Sequence, residues 1–197
     1  MADSVNIQAQ GARPALPEWF YDIDVHTHDP QADHEAIVCL TPEDSFGERR
    51  YYSVGIHPWD AARADERMFE RLREMASDPR VVAIGECGLD RRHTPAVDMA
   101  VQEEVFVRQA ELAESLGKPL IIHCVGAFNE LVELKKRLKP SVPWIVHGFR
   151  GKPELARELV RQGFYLSLGL RFNPAVPASV SSSALLRETD TTPHNNR

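Results

Sequence analysis

PLIIHCVGAFNELVELKKRLKPSVPWIVH, residues 119–147, decides the fold. It reads as strand, helix, strand. PLIIH (119–123) and PWIVH (143–147) are short apolar runs, and the segment from Asn129 to Leu138 between them is a short helix. Runs that are apolar on both faces are expected of parallel strands, packed inside on one side and covered by helices on the other. Both runs end in a histidine, and parallel strands open their ends on one face.

Outward from this unit the same alternation recurs. The runs YDIDV (21–25), AIVCL (36–40), YYSVGI (51–56), VVAIG (81–85), FYLSL (164–168) and ALLRE (184–188) bring the strand candidates to eight. Met68, Phe69, Leu72, Met75 and Ala76 recur at helical spacing, as do Val101, Val105, Leu112, Ala113 and Leu116. Gly117 stops that second helix and Pro119 follows it. A further helix starts near Pro153, carries Leu155, Ala156, Leu159 and Val160, and ends at Gly163. Eight strands with helices between most of them define an α/β fold, a TIM-like (β/α) barrel.

The chain has 197 residues, fewer than the ~250 usual for that fold. The connection from His28 to Ala36 is too short for a crossover helix, and only seven residues follow Asp190. The expectation is a reduced barrel with missing or minimal helices after the first and last strands. A flexible leader (1–19) would precede the barrel (20–190), and a short polar tail (191–197) would follow it. The uncovered barrel edge would expose apolar surface and favour self-association.

Composition excludes several classes. A net charge of −6 gives no basic surface for tight non-specific nucleic-acid binding, and Trp19, Trp59 and Trp144 form no stacking platform. A nucleic-acid substrate stays open, because bound divalent cations reverse the sign of a carboxylate-rich site. No apolar run approaches the ~20 residues of a membrane span, and MADSVNIQAQGARPALP lacks the features of a signal peptide. A cytoplasmic location, with no membrane partner, is expected. Cys39, Cys87 and Cys124 lack zinc-finger spacing and read as small buried packing thiols.

The chemistry lies at the strand ends. His26 and His28 follow the first strand, His57 the third, Glu86 the fourth, His123 and His147 end the fifth and sixth, and Asp190 follows the eighth. A single histidine at a strand end is more often a hydrogen-bonded rim residue than a ligand. With His57 set aside, four histidines and two acids at equivalent positions weaken that reading, because one mouth of a parallel barrel collects them all. His26 and His28, two apart, would point to the same side of an extended strand. Imidazole and carboxylate donors suit divalent ions such as zinc, manganese or magnesium. Six protein ligands are too many for one catalytic ion and fit two ions sharing a carboxylate. Such a pair would support hydrolysis through a metal-activated water, orienting it and stabilising the leaving oxygen.

The motifs DVHTH (24–28), VGIHPW (54–59), AIGECGLD (83–90), PLIIHC (119–124), IVHGFRG (145–151), GFYLSLG (163–169) and LLRETD (185–190) together resemble TatD-family metal-dependent hydrolases, over about residues 21–190. The resemblance implies that His26 and His28 bind a first ion, that Glu86 bridges, and that His123 and His147 bind a second. It further implies that Asp190 binds the first ion and acts on the attacking water, and that His57 contacts the substrate phosphate. Only the resemblance suggests deoxyribonuclease-like activity on DNA or a small phosphate ester; related proteins act on other esters or on misacylated transfer RNA. Val125 stands where many members carry arginine, and Arg91 and Arg92 follow GLD where an aromatic residue is common. The short first crossover and HGFRG look like a compact bacterial branch. Two alternatives stay open: amide or ester hydrolysis as in the wider amidohydrolase group, and a truncated barrel that binds metal without turnover.

Overall fold

A computed structural model describes residues 13–32 and 34–189. Eight parallel strands close into a barrel in sequence order: β1 (Asp24–Thr27), β2 (Ala36–Leu40), β3 (Tyr51–Val54), β4 (Val81–Asp90), β5 (Leu120–Val125), β6 (Trp144–Val146), β7 (Tyr165–Leu168) and β8 (Leu185–Arg187). The ring is sealed by β1 pairing with β8 through Asp24 and Arg187. Among the described residues four α-helices lie outside it: α1 (Glu66–Ala76), α2 (Met99–Leu116), α3 (Phe128–Leu138) and α4 (Pro153–Arg161).

The helices form where the sequence supplies both an apolar face and its ends. Asp65 caps α1 by accepting the Met68 N–H at 2.8 Å, a contact worth about 1 kcal/mol. Asp98 caps α2, and Gly117 ends it in a left-handed conformation (φ 63°) that costs a residue without Cβ little. The buried faces of these helices pack on the outward strand residues Val38, Val54, Ile84, Leu89, Ile122 and Val146. Phe106 and Phe164 close on the Trp144 ring at 5.3 and 6.0 Å between centroids.

A smaller cluster fills the barrel itself: Val25, Ile37, Ala83, Ile121, Ile145, Tyr165 and Leu186. Two residues nearer the C-terminal mouth stand Cys39, His123, His147, Ser167 and Glu188. The side-chain period of two residues therefore stacks a polar ring directly on the apolar floor. The pairing shifts register on β1 between Asp24 and Thr27, and on β4 between Ile84 and Cys87. These irregularities fall on the two strands that deliver His26 and Glu86.

The structure corrects two expectations. Helices are absent in more places than after the first strand: the connections 28–35 and 41–50 contain no helix among the described residues, and 169–184 contains only the short 3-10 turns Pro177–Ser179 and Ser182–Ala184. The first two are too short and polar, and the third, with Pro174 and Pro177, lacks helical spacing. The last part of the expected leader, residues 13–19, is also not loose. Leu16 is buried in the barrel-floor cluster beside Phe20, Trp19 stacks on Tyr51, and the Tyr165 hydroxyl donates to the Pro14 carbonyl oxygen at 2.9 Å. These apolar side chains close the face of the barrel opposite the histidines. Residues 1–12 and the tail 191–197 lie outside the described residues. The exposed large apolar side chains, Tyr21, Val101, Leu116, Leu170 and Phe172, are spread over different elements and lend no support to self-association. No helix among the described residues is long and apolar enough to cross a membrane.

Candidate metal centre

Glu86 is the hub of the C-terminal mouth. Its two carboxylate oxygens face different histidines. Oε2 lies 3.1 Å from His28 Nε2 and 3.5 Å from His26 Nε2. Oε1 lies 2.7 Å from His147 Nε2, 2.8 Å from His123 Nδ1 and 3.3 Å from His57 Nε2. The structure thus brings together His26, His28, His57, Glu86, His123 and His147 from β1, the end of β3, β4, β5 and the end of β6. Asp190 lies outside the described residues.

Local interactions hold these side chains in place. His57 accepts the Trp59 N–H at Nδ1, capping the 3-10 turn Pro58–Arg63, so its Nε2 turns toward Glu86. Two glutamines of α2, fully buried, clamp the backbone beneath the site. Gln109 accepts the Ile56 N–H at 2.7 Å and donates to the Ile56 carbonyl oxygen at 3.0 Å. Gln102 does the same for Asp90, at 2.7 and 3.2 Å. Gly88 (φ 148°) lets β4 press against β5: a Cβ there would lie 1.9 Å from the His123 carbonyl oxygen.

Asp90 and Glu188 complete the charge pattern, and sequence reasoning assigned neither. Asp90 is 3.2 Å from His123 Nε2 and accepts the Trp59 indole N–H at 2.8 Å. Glu188 is 3.6 Å from His147 Nδ1. Both could have been found: Glu188 from the alternation in LLRETD, two residues after inward Leu186, and Asp90 from its place in GLD. Cys39 was also missed. Its sulfur accepts the Glu86 N–H at 3.2 Å, which places this thiol in the mouth and not in the packing layer. Cys87 and Cys124 do pack outward, against the helices. Arg91 is engaged by Glu130 and the Gly126 carbonyl, whereas Arg92 lines the cleft.

The electrostatics favour a cation. Burial raises the Glu86 pKa, but His147, His57 and His123 outweigh it and hold the carboxyl well below its usual range. Burial lowers His147, yet Glu86 and Glu188 drive it well above the ordinary histidine value; His123 is raised likewise by Asp90 and Glu86. His26 and His57 are lowered, chiefly by burial. Neither ring nitrogen of His26 and not Glu188 Oε2 has a hydrogen-bond partner among the described residues, although all are buried. A mouth that keeps its carboxylates ionised and leaves buried donor atoms without hydrogen bonds is chemically suited to divalent ions. Among the described residues two groups of donors, each with ligand atoms within 4.8 Å of one another, could hold an ion: His26 with Cys39 and Glu86, and His57 with Glu86 and His123, sharing Glu86.

Two clefts of about 740 and 760 Å³ flank the cluster. His28, Cys39, His57 and Glu86 line the first; Asp90, Arg92, His123, His147, Arg150, Arg171 and Phe172 line the second. Trp59 and His93, stacked at 5.0 Å, line both.

A closed parallel barrel with an imidazole–carboxylate cluster at its C-terminal mouth defines a TIM-type barrel that gathers candidate metal-binding side chains where such barrels carry their sites. The chain belongs to the TatD family: the family described as TatD related DNase matches residues 21–197. The chain is 35% identical over 148 residues to the 3'-5' ssDNA/RNA exonuclease TatD of Cronobacter turicensis, covering 70% of this chain and 56% of that protein. It is 37% identical over 155 residues to the uncharacterized metal-dependent hydrolase YabD of Bacillus subtilis, covering 73% and 60%. The chain thus spans a little over half the length of these relatives. The crystal structure of YjjV, a TatD homologue from Escherichia coli K12, superposes with a TM-score of 0.74 at 24% identity, covering 85% of this chain and 78% of that one, and shares the fold.

Proposed function

We propose that the protein is a two-metal phosphodiesterase that hydrolyses DNA, or another single-stranded nucleic acid or small phosphate ester. One observation carries the reading: the two oxygens of Glu86 divide the histidines into two sets, as a bridging carboxylate requires. His26, His28 and Asp190 would hold one ion with Oε2; His123 and His147 would hold the other with Oε1. Divalent ions bound there supply charge neutralisation at a phosphoryl group and a lowered pKa for water. Asp90 orients the His123 ring through Nε2, and Glu188 faces the second nitrogen of His147, the kind of support that fixes ligand direction. His57, which lines the first cleft, would contact a substrate phosphate. Asp190 takes the role of base on the strength of its ETD motif. Arg92, Arg150 and Arg171 give the second cleft the positive lining that a phosphate chain needs in a chain of net charge −6. The exonuclease name of the Cronobacter relative favours a strand end as substrate. A cytoplasmic location is part of the same proposal.

The test is a substrate panel on metal-stripped protein reloaded with Mg²⁺, Mn²⁺ or Zn²⁺. It contains labelled single-stranded DNA and RNA, a phosphodiester dinucleotide and acylated compounds. Metal-dependent cleavage of phosphodiesters is expected, lost in Glu86→Ala and Asp190→Ala. Activity that survives either substitution, or turnover of the acylated compounds alone, overturns the reading.

A further inference from the structure

Cys39 has no part in the chemistry derived above, yet it sits within it. On β2 the alternation that puts Ile37 in the barrel floor puts Cys39 two residues nearer the mouth. There the Glu86 N–H points at its sulfur from 3.2 Å, and the Gly85 carbonyl oxygen lies 3.7 Å away. Ligand atoms of Cys39, His26 and Glu86 all lie within 4.8 Å of one another. Donors bound to one ion at about 2.0–2.3 Å stand about 3–4 Å from their neighbours, so shifts of roughly an ångström would bring the three onto one centre.

A second observation points the same way. His26 is 0% exposed, and neither of its ring nitrogens has a hydrogen-bond partner among the described residues. A buried imidazole whose nitrogens make no hydrogen bond, with only Glu86 Oε2 near Nε2 at 3.5 Å, is left unsatisfied, and an ion shared with Cys39 and Glu86 satisfies it. The N–H aimed at the sulfur is also the contact that a thiolate ligand accepts in its outer shell.

We propose that Cys39 is a thiolate ligand of the ion held by His26 and Glu86. This rests on the reading that those two residues bind metal, and it adds a soft donor to an otherwise nitrogen and oxygen set. The sulfur–metal bond forms as the S–H proton leaves to solvent. A mixed sulfur, nitrogen and oxygen site selects zinc, cobalt or cadmium over magnesium, which takes oxygen donors and keeps its waters. Cys87 and Cys124, on the helix-facing side of the sheet, are built-in controls.

The experiment titrates Cd²⁺ into the metal-stripped full chain, reading both the ultraviolet sulfur-to-cadmium charge-transfer band and retained metal. A band equivalent to one thiolate is expected in the parent and in Cys87→Ala/Cys124→Ala, where Cys39 is the sole thiol. Cys39→Ser abolishes the band and weakens zinc about tenfold, the scale of losing one supporting contact, with magnesium binding unchanged. Should Cys39→Ser not fold, the double variant still decides whether Cys39 gives the band. Cadmium retained without a thiolate band overturns the Cys39 assignment and leaves the metal centre standing. No retained cadmium overturns both.

Discussion

Glu86→Gln separates a bridging carboxylate from one that merely hydrogen-bonds to histidines. In the wild type both oxygens face imidazole nitrogens, Oε2 toward His26 and His28 and Oε1 toward His57, His123 and His147. A glutamine keeps the shape and presents an acceptor oxygen to only one set; its NH2 group faces the other and cannot ligate. The unit charge is lost to both ions. At about 4 Å and an effective dielectric of about 20, that charge against a divalent ion is worth about 8 kcal/mol per ion, an upper bound that corresponds to roughly a millionfold in affinity. The assay is calorimetric titration of chelator-stripped protein with Zn²⁺ or Mn²⁺, with metal content after desalting. Two ions per chain are expected for the wild type, and at most one for Glu86→Gln, together with loss of turnover. Two ions retained by the variant within tenfold of wild-type affinity would refute the bridging argument.

Other predictions concern what supports the site. Gly88→Ala sets a Cβ against the His123 carbonyl at a backbone angle that only glycine tolerates; urea unfolding is expected to show a loss of about 3 kcal/mol, and metal retention falls with it. Gln109→Leu leaves the Ile56 N–H and carbonyl unpaired beneath His57, costing about 2–4 kcal/mol by the same measurement; an unchanged midpoint would refute the clamp. Lys135, on α3, holds its ammonium over the Trp144 and Phe164 rings at 5.0 and 4.7 Å, and burial pushes its pKa from 10.5 down to about 8. Keeping it charged at pH 7 costs about 3 kcal/mol, of which its ring contacts return up to about 2. Lys135→Met is therefore expected to stabilise the fold by about 1 kcal/mol below pH 8. A lysine pKa lowered on folding means the wild type gains stability as pH rises from 8 to 10.5, so the advantage of the variant shrinks over that window. A variant that is less stable than the wild type at pH 7 would refute the burial argument.

The barrel was legible because its strands are apolar runs of strand length separated by helices of clear apolar spacing; Gly117 and Pro153 mark real helix ends. The first strand was read at 21–25 and lies at Asp24–Thr27, because Glu18–Tyr21 forms a 3-10 turn whose Phe20 plugs the barrel floor. Leader residues Leu16 and Trp19 looked idle because their partners, Tyr51 and Tyr165, stand far away in sequence. At the mouth, the histidines announced themselves by type. Cys39, Asp90 and Glu188 did not, since a cysteine in an apolar run and an acid in a turn have commoner explanations. The two buried glutamines of α2 were invisible for another reason: they serve backbone groups on β4 and after β3, which no pattern of side chains records.

The polar ring and the apolar floor share strands at a spacing of two residues. A slip of β5 by one position would drive His123 into the hydrocarbon beneath α2 and α3 and swing Cys124 to the opening. A wrongly paired sheet can therefore neither pack nor bind ions, and no half-correct molecule combines a sound core with a broken centre. Ion uptake followed during refolding should then report the moment at which the eight strands find their partners.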